Sequence, residues 1–208
     1  MKTKSLNVTL TLTEPQLGTI PKNREIFATH VATKSLELAG KTRNEIQRTV
    51  AEESETIQEA VEEKGWTGFH QDEKGIFIYD YMIRGFLKTA ATALKDQFGL
   101  KNVKSKIDTF VFVFPRRIYF QKEGAPVKSV DGVVERPLRA QTMQGPRVTL
   151  ARSDYMNAGT KLTFEIKVVE SAKEFTVEVV KSLFEYGELQ GLGQFRNGSY
   201  GRFTVEIE

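Results

Sequence analysis

The chain has 208 residues, 39% hydrophobic and 27% charged, with a formal net charge of +3. That is globular rather than disordered composition, long enough to bury a core without covalent staples. With no cysteine and only His30 and His70, a disulfide framework and a cysteine-ligated zinc site are excluded, a histidine-rich centre has no basis, and no metal or cofactor is expected.

No apolar run approaches the ~20 residues of a membrane span. The N-terminus alternates and lacks a signal-peptide core, so the sequence reads as cytoplasmic with no membrane partner. Leu6, Val8, Leu10 and Leu12 alternate with polar residues and predict a half-buried strand. Pro15, Gly18 and Pro21 interrupt the chain, and a short helix is expected from about Asn23 to Lys34 with Ile26, Phe27 and Val31 inward. From Arg43 to about Lys64, Ile46, Val50, Ile57 and Val61 form a thin apolar stripe. That stripe predicts a helix whose outer surface is strongly acidic through Glu45, Glu52, Glu53, Glu55, Glu59, Glu62 and Glu63. Segregation of acid into one segment leaves a basic remainder, as expected when one face meets a polyanion and another meets water.

Trp66–Tyr79 reads as a short hairpin turning at Asp72–Gly75. Ile83, Phe86, Leu87, Ala90, Ala91 and Leu94 sit at helical spacing; Asp80 is the expected cap and Gly99 the expected stop. Thr109–Phe114 predicts a central strand, and Arg117–Gln121 a second. Gly124–Pro146 lacks a period and reads as an extended loop or hairpin. Strands are expected at Val148–Ala151 and Lys161–Val169, a helix at Phe175–Tyr186, a glycine-rich loop at Gly191–Gly201, and a closing strand through Phe203, Val205 and Ile207.

This order predicts an α+β fold with an antiparallel sheet, helices covering one face, and a ferredoxin-like (RNA-recognition-motif-like) β-α-β-β-α-β core. The expected organisation is one domain over residues 1–208, with a helical insertion at about 40–65 and a protruding basic hairpin at about 124–147.

Two segments suit a polyanion. In Gly191–Phe203, Gly191, Gly193, Gly198 and Gly201 alternate with Arg196, Tyr200 and Arg202. Glycine lets backbone amides approach phosphate, arginine pairs with it, and aromatic rings stack on bases; a flexible loop before an edge strand is the plain alternative. No Gly-Lys-Ser/Thr follows and no helix opens after it, so neither a Walker loop nor a dinucleotide fingerprint is present. The second segment carries Arg136, Arg139, Arg147 and Arg152, spaced to follow a row of phosphates, with Met143 or a leucine at the tip to wedge between bases; an ordinary charged hairpin is its alternative. Arg116 and Arg117 are strand neighbours, so at most one faces a given ligand. Arg84 and Lys88 lie off the apolar stripe of their helix. His30 is the weak candidate for a general base, with Lys34 and Tyr81 as partners, although a lone helical histidine is more often structural. Carboxylates at Glu55, Glu59 and Glu63 are better read as a solvated face than as a cation site.

Three segments together resemble the repeat-associated mysterious protein (RAMP) superfamily. Thr13-Glu14-Pro15-Gln16-Leu17-Gly18 is similar to its "Pro-Leu-x-x-Gly" turn after the first strand. Glu135–Arg139, Pro146-Arg147-Val148 and Asn157-Ala158-Gly159-Thr160 through Ile166 resemble the Arg-rich hairpin and "Ala-Gly-Thr-x-Phe" turn of backbone subunits in CRISPR effector complexes. The Gly191–Phe203 loop resembles the C-terminal glycine-rich loop, and Arg84-Gly85 with Lys88 echoes the middle motif, whose "Gly-Ser" is missing. The resemblance implies non-catalytic binding of guide-like single-stranded RNA. It also implies assembly with copies of the chain or with CRISPR effector subunits, in antiviral defense or, for a phage- or mobile-element-encoded relative, counter-defense. Two alternatives stay open: a metal-independent repeat-RNA endoribonuclease using His30, and an interaction protein acting through its acidic helix.

Overall fold

The structure is a computed structural model that describes residues 2–37, 43–57, 65–99, 101–143, 145–170 and 175–208. In chain order the elements begin with β1 (Lys2–Leu12), β2 (Gln16–Leu17), β3 (Ile20–Pro21), α1 (Arg24–Glu37) and α2 (Arg43–Ser54). They continue with β4 (Trp66–Gly68), β5 (His70–Gln71), β6 (Ile76–Tyr79), α3 (Asp80–Ala93), α4 (Lys95–Phe98) and α5 (Val103–Phe110). After these come β7 (Val111–Phe114), β8 (Arg117–Lys122), β9 (Ala125–Pro126), β10 (Gly132–Thr142) and β11 (Gly145–Met156). Last are β12 (Lys161–Glu170), α6 (Val177–Gln190), a 3-10 turn at Arg196–Gly198, and β13 (Phe203–Ile207).

The chain divides into two compact units. The first comprises Met1–Gln16, Phe77–Val127 and Asn157–Glu208; the second comprises Leu17–Ile76 and Lys128–Met156. The second unit is therefore built from two segments inserted into the chain of the first.

In the first unit β1 pairs antiparallel with β12 (Leu6↔Ile166) and with β13 (Leu10↔Val205). β12 pairs antiparallel with β7 and then β8 along its length. Taking β7 and β8 as one interrupted strand, the order is fourth, first, third, second, which is the split β-α-β arrangement of a ferredoxin-like sheet. Leu6, Val8, Leu10 and Leu12 of β1 and Leu162, Phe164, Ile166 and Val168 of β12 all fall on the buried face. Period two requires this: each strand presents alternate residues to the helices.

α3 and α6 supply the other side of that core through Ile83, Phe86, Leu87, Ala90 and Ala91, and through Val180, Leu183 and Phe184. Phe86 meets Phe184 at 5.9 Å and Phe203 at 5.8 Å between ring centroids. Gly187 allows that approach, because a Cβ there would lie 2.1 Å from the Phe86 ring. Asp80 opens α3 but caps nothing; it accepts from Arg84 at 3.2 Å. Gly99 ends α4 rather than α3, in the left-handed region at φ 60. Helix α5 replaces the start of the expected strand at Thr109, since Val103 and Ile107 are one helical turn apart and buried.

In the second unit β10 and β11 form a long antiparallel hairpin (Arg136↔Ala151, Arg139↔Val148). β11 also pairs parallel with β4 (Arg152↔Trp66), and β4 pairs with β3 (Ile20↔Gly68). Pro137 sits inside β10, which pairs only with β11 among the described residues. A strand with an open edge tolerates the missing N–H, which is why a proline-bearing segment without period still forms a hairpin. Asn23 caps α1 by accepting the Ile26 N–H at 3.2 Å. Phe27 is buried on Ile20, with Val50 and Ile57 packed against them, whereas Ile26, expected inward, is 37% exposed.

The acidic helix stops at Ser54, ten residues short of its expected end at Lys64. The Ser54 hydroxyl donates to the Val50 carbonyl and the Thr56 hydroxyl to that of Glu53, side-chain bonds that compete with helical propagation. Ile57 then bridges to His70. Glu53 is buried, so the acidic face is not uniformly solvated, while Glu52 and Glu55 are exposed. Glu59, Glu62, Glu63, Lys64 and Gln144 lie outside the described residues. Among the described residues no helix is long and apolar enough to cross a membrane, and none of their His, Asp and Glu side chains cluster as metal ligands.

Candidate nucleic-acid interface

The register of β10 and β11 decides what the four arginines can do. Arg136 and Arg147 fall on one face of the ribbon, Arg139 and Arg152 on the other. Arg136 is only 8% exposed and donates from Nη2 to Ser153 Oγ at 2.8 Å. Arg152 donates from Nε to Glu135 Oε1 at 2.5 Å and lies 5.7 Å from the Trp66 ring centroid. Of the four arginines expected to follow a row of phosphates, Arg139 and Arg147 are the exposed ones, on opposite faces.

Arg136 and Arg152 are held at the base of the hairpin because that end carries a buried polar cluster. Asp154 accepts from Lys22 Nζ at 3.1 Å and from Trp66 Nε1 at 2.7 Å. The Lys22 and Asp154 side chains are almost fully buried, and Lys22 also lies 4.6 Å from the Trp66 ring centroid. Three distant segments meet here. No spacing in the sequence marks the cluster, and it was missed there.

The outer half of the hairpin has no such support. Every described side chain from Pro137 to Arg139 and from Pro146 to Leu150 is exposed. Val148 is 63% and Leu150 61% exposed, and Met143 at the turn is fully exposed. A water-facing ribbon that carries apolar side chains and two guanidinium groups on both faces is suited to occupation by a partner.

In the first unit the glycine-rich loop closes on itself. The Leu192 N–H donates to the Gly201 carbonyl and the Gly201 N–H to that of Pro15, both at 2.8 Å. Gly191 (φ 82) and Gly201 (φ 73) are required by this crossing: a Cβ on Gly201 would lie 1.9 Å from the Leu192 oxygen, and one on Gly191 2.6 Å from the Tyr200 oxygen. Gly198 N–H donates to Phe195, and the Phe195 ring covers that glycine before meeting Tyr200 at 5.8 Å. The Gly191 N–H donates to the Gly187 carbonyl of α6 at 2.8 Å, so the amides of Gly191, Gly198 and Gly201 are all bonded within the protein. Gly193 takes φ 95 within the same loop. What faces outward is Phe195, 44% exposed, with Tyr200 and Arg196 half-buried and Arg202 exposed, its Nε donating to the Leu189 carbonyl at 3.2 Å.

The other basic candidates are engaged locally. Arg84 pairs with Asp80, and Lys88 Nζ with Asp108 at 2.5 Å. Lys88 and Lys104 flank a shallow depression of ≈ 500 Å³ over Thr89 and Thr92. Arg116 lies 5.4 Å from the Tyr79 ring centroid and Arg117 5.1 Å from that of Phe77. His30 is half-buried in α1, in the second unit, whereas Tyr81 belongs to the first and stacks on Tyr79 at 5.4 Å. His70 is buried, with Nδ1 2.9 Å from the Thr56 hydroxyl and its ring edge-on to Phe27, a structural placement.

No family model and no curated protein matches the chain. Among solved structures it is similar to a chain in the cryo-EM structure of the Type III-B Cmr-beta complex bound to cognate target RNA. That match has 11% identity and a TM-score of 0.48, and covers 99% of this chain but 61% of that one. It is also similar to a chain of a Type IV-B CRISPR complex, at 10% identity and a TM-score of 0.49, with 99% of this chain and 90% of that one covered. Such identities leave no residue-by-residue correspondence to carry over.

Proposed function

We propose that the protein binds single-stranded RNA without cleaving it, through the outer half of the β10–β11 hairpin. The observation that carries this reading is the exposure of Arg139, Arg147, Met143, Val148 and Leu150 on a ribbon whose base is locked by buried bonds. Guanidinium groups on both faces can pair with phosphates, while an apolar tip can enter between unstacked bases, where a duplex would keep them stacked. Arg196, Tyr200 and Arg202 on the outside of the glycine-rich loop add charge and a ring of the same chemistry.

The sequence motifs that resemble RAMP backbone subunits support a guide-like RNA as ligand. They also support copies of this chain or CRISPR effector subunits as neighbours along it. The test is isolation of the protein at moderate salt, followed by sequencing of any co-purified nucleic acid and titration with single-stranded RNA. Bound RNA of uniform length, left intact on incubation, is the expected result. A protein that carries none and fails to bind single-stranded RNA at low salt overturns the proposal.

A further inference from the structure

The ferredoxin-like sheet of the first unit has a second face, turned away from α3 and α6. On β7, Val111 and Val113 point into the core while Phe112 and Phe114, the alternate residues, are 42% and 45% exposed. These two neighbouring phenylalanines lie beside polar rows on β12 and β1, with Tyr119 of β8 on the same face. Phe112 lies opposite Lys167, which lies opposite Ser5; Phe114 lies opposite Glu165, which lies opposite Asn7. On the next row the hydroxyls of Thr9 and Thr163 are 3.3 Å apart.

We propose that this face is a second RNA-contact surface, on which Phe112 and Phe114 each carry one unpaired base. The proposal rests on the RNA-binding reading above but uses a different surface of the molecule. Side chains two residues apart on a strand are separated by about 6.8 Å, roughly twice the ~3.4 Å rise between stacked bases. Two bases seated on the two rings are therefore unstacked from one another, which a single strand allows and a duplex does not.

Charge points the same way. Lys167 Nζ lies 5.3 Å from the Phe114 ring centroid and 3.7 Å from Glu165, where it can meet the phosphate joining the two nucleotides. Lys161 is exposed on the same face of β12. Glu165 is countered by Lys167, and the exposed Glu206 lies across the sheet on β13, opposite Thr9. Rings beside hydroxyl, amide and ammonium groups suit planar, polar bases whose edges need donors and acceptors.

The experiment compares Phe112→Ala with Phe114→Ala in one chain, the Phe112→Tyr, Phe114→Tyr pair, and the hairpin pair Arg139→Glu, Arg147→Glu, each titrated with a fluorescent single-stranded oligoribonucleotide and checked by circular dichroism. Truncation is expected to weaken binding by roughly 5- to 150-fold per ring, and so by at least about 25-fold in the double variant, with the salt dependence unchanged because no charge is lost, and the tyrosines are expected to restore it. Both phenylalanines are outside the core, so folding is expected to persist. A Phe112→Trp variant gives a direct reading: its emission is expected to be quenched when RNA binds. Unchanged affinity in the folded alanine pair, while the hairpin variant loses binding, overturns this surface and leaves the hairpin reading standing. Loss of self-association in the alanine pair with RNA affinity intact overturns it in favour of a protein-facing surface. An unaltered chain that binds no RNA overturns both readings.

Discussion

Reversing the two outward arginines of the hairpin, Arg139→Glu with Arg147→Glu, tests the phosphate-binding reading quantitatively. Exposure sets the number of charges at stake: Arg139 and Arg147 are exposed, whereas Arg136 is buried against Ser153 and Arg152 is half-buried beside Glu135 and Trp66. For single strands each neutralised phosphate contributes about −0.7 to the slope of log K against log salt, so removing two is expected to flatten it by about 1.4. At about 0.1 M salt the same counterion term amounts to roughly 25-fold in affinity, before any repulsion from the new carboxylates. The assay is fluorescence anisotropy with a single-stranded oligoribonucleotide between about 50 and 200 mM salt, the range over which such slopes are resolved. Thermal unfolding should be nearly unchanged, because both side chains are exposed. A folded double variant with the original slope refutes the assignment. So does an Arg152→Ala variant that flattens the slope as much as Arg139→Ala does, because it would place phosphate on a guanidinium that the structure commits to Glu135.

Three further outcomes test the architecture. Lys22→Ala leaves the Asp154 carboxylate buried beside Trp66, a change that typically costs about 3–5 kcal/mol. It is expected to unfold the second unit at a clearly lower temperature by calorimetry, and a Lys22→Ala protein as stable as the parent would show that the pair is not closed in solution. Gly187→Ala places a methyl against the Phe86 ring and is expected to destabilise the first unit by about 1–3 kcal/mol through overpacking. Phe86→Leu in the same chain should recover part of that loss, and thermal melts of both variants check it. The Lys2 ammonium, by hydrogen bonding to Glu170, holds that carboxyl below its ordinary range. Its contribution is therefore present above the unfolded carboxylate pKa and is lost as pH falls through the lowered value. Lys2→Met should move the Glu170 carboxyl titration upward when it is followed by NMR.

The core of the first unit was legible in the sequence because its two periodicities are clean. Leu6, Val8, Leu10 and Leu12 alternate at period two, Ile83, Phe86, Leu87 and Ala90 repeat at helical spacing, and both sets are buried as those patterns demand. The closing strand, the helix after Phe175 and the turn at Asp72–Gly75 followed from equally local signals. The site was legible only as residue types. Arginines, glycines and aromatics marked two segments, but the contacts of those side chains depended on partners far away in the chain.

Local preference determined where strands and helices begin and which face of each is apolar, since a residue's own dihedral range and the repeat of its side chains act over a few positions. Pairing was decided by tertiary structure. The register of β10 against β11 sent Arg136 inward to Ser153 and left Arg139 outward. The parallel pairing of Arg152 with Trp66 joined segments far apart in the chain, and Asp154 drew Lys22 into a buried bond. The crossing of Leu192 and Gly201 tied the loop's amides to its own carbonyls and to that of Pro15. Buried polar groups must find partners wherever the fold brings them, so which cations stay outside for a ligand is fixed only when the rest of the chain has closed around the others.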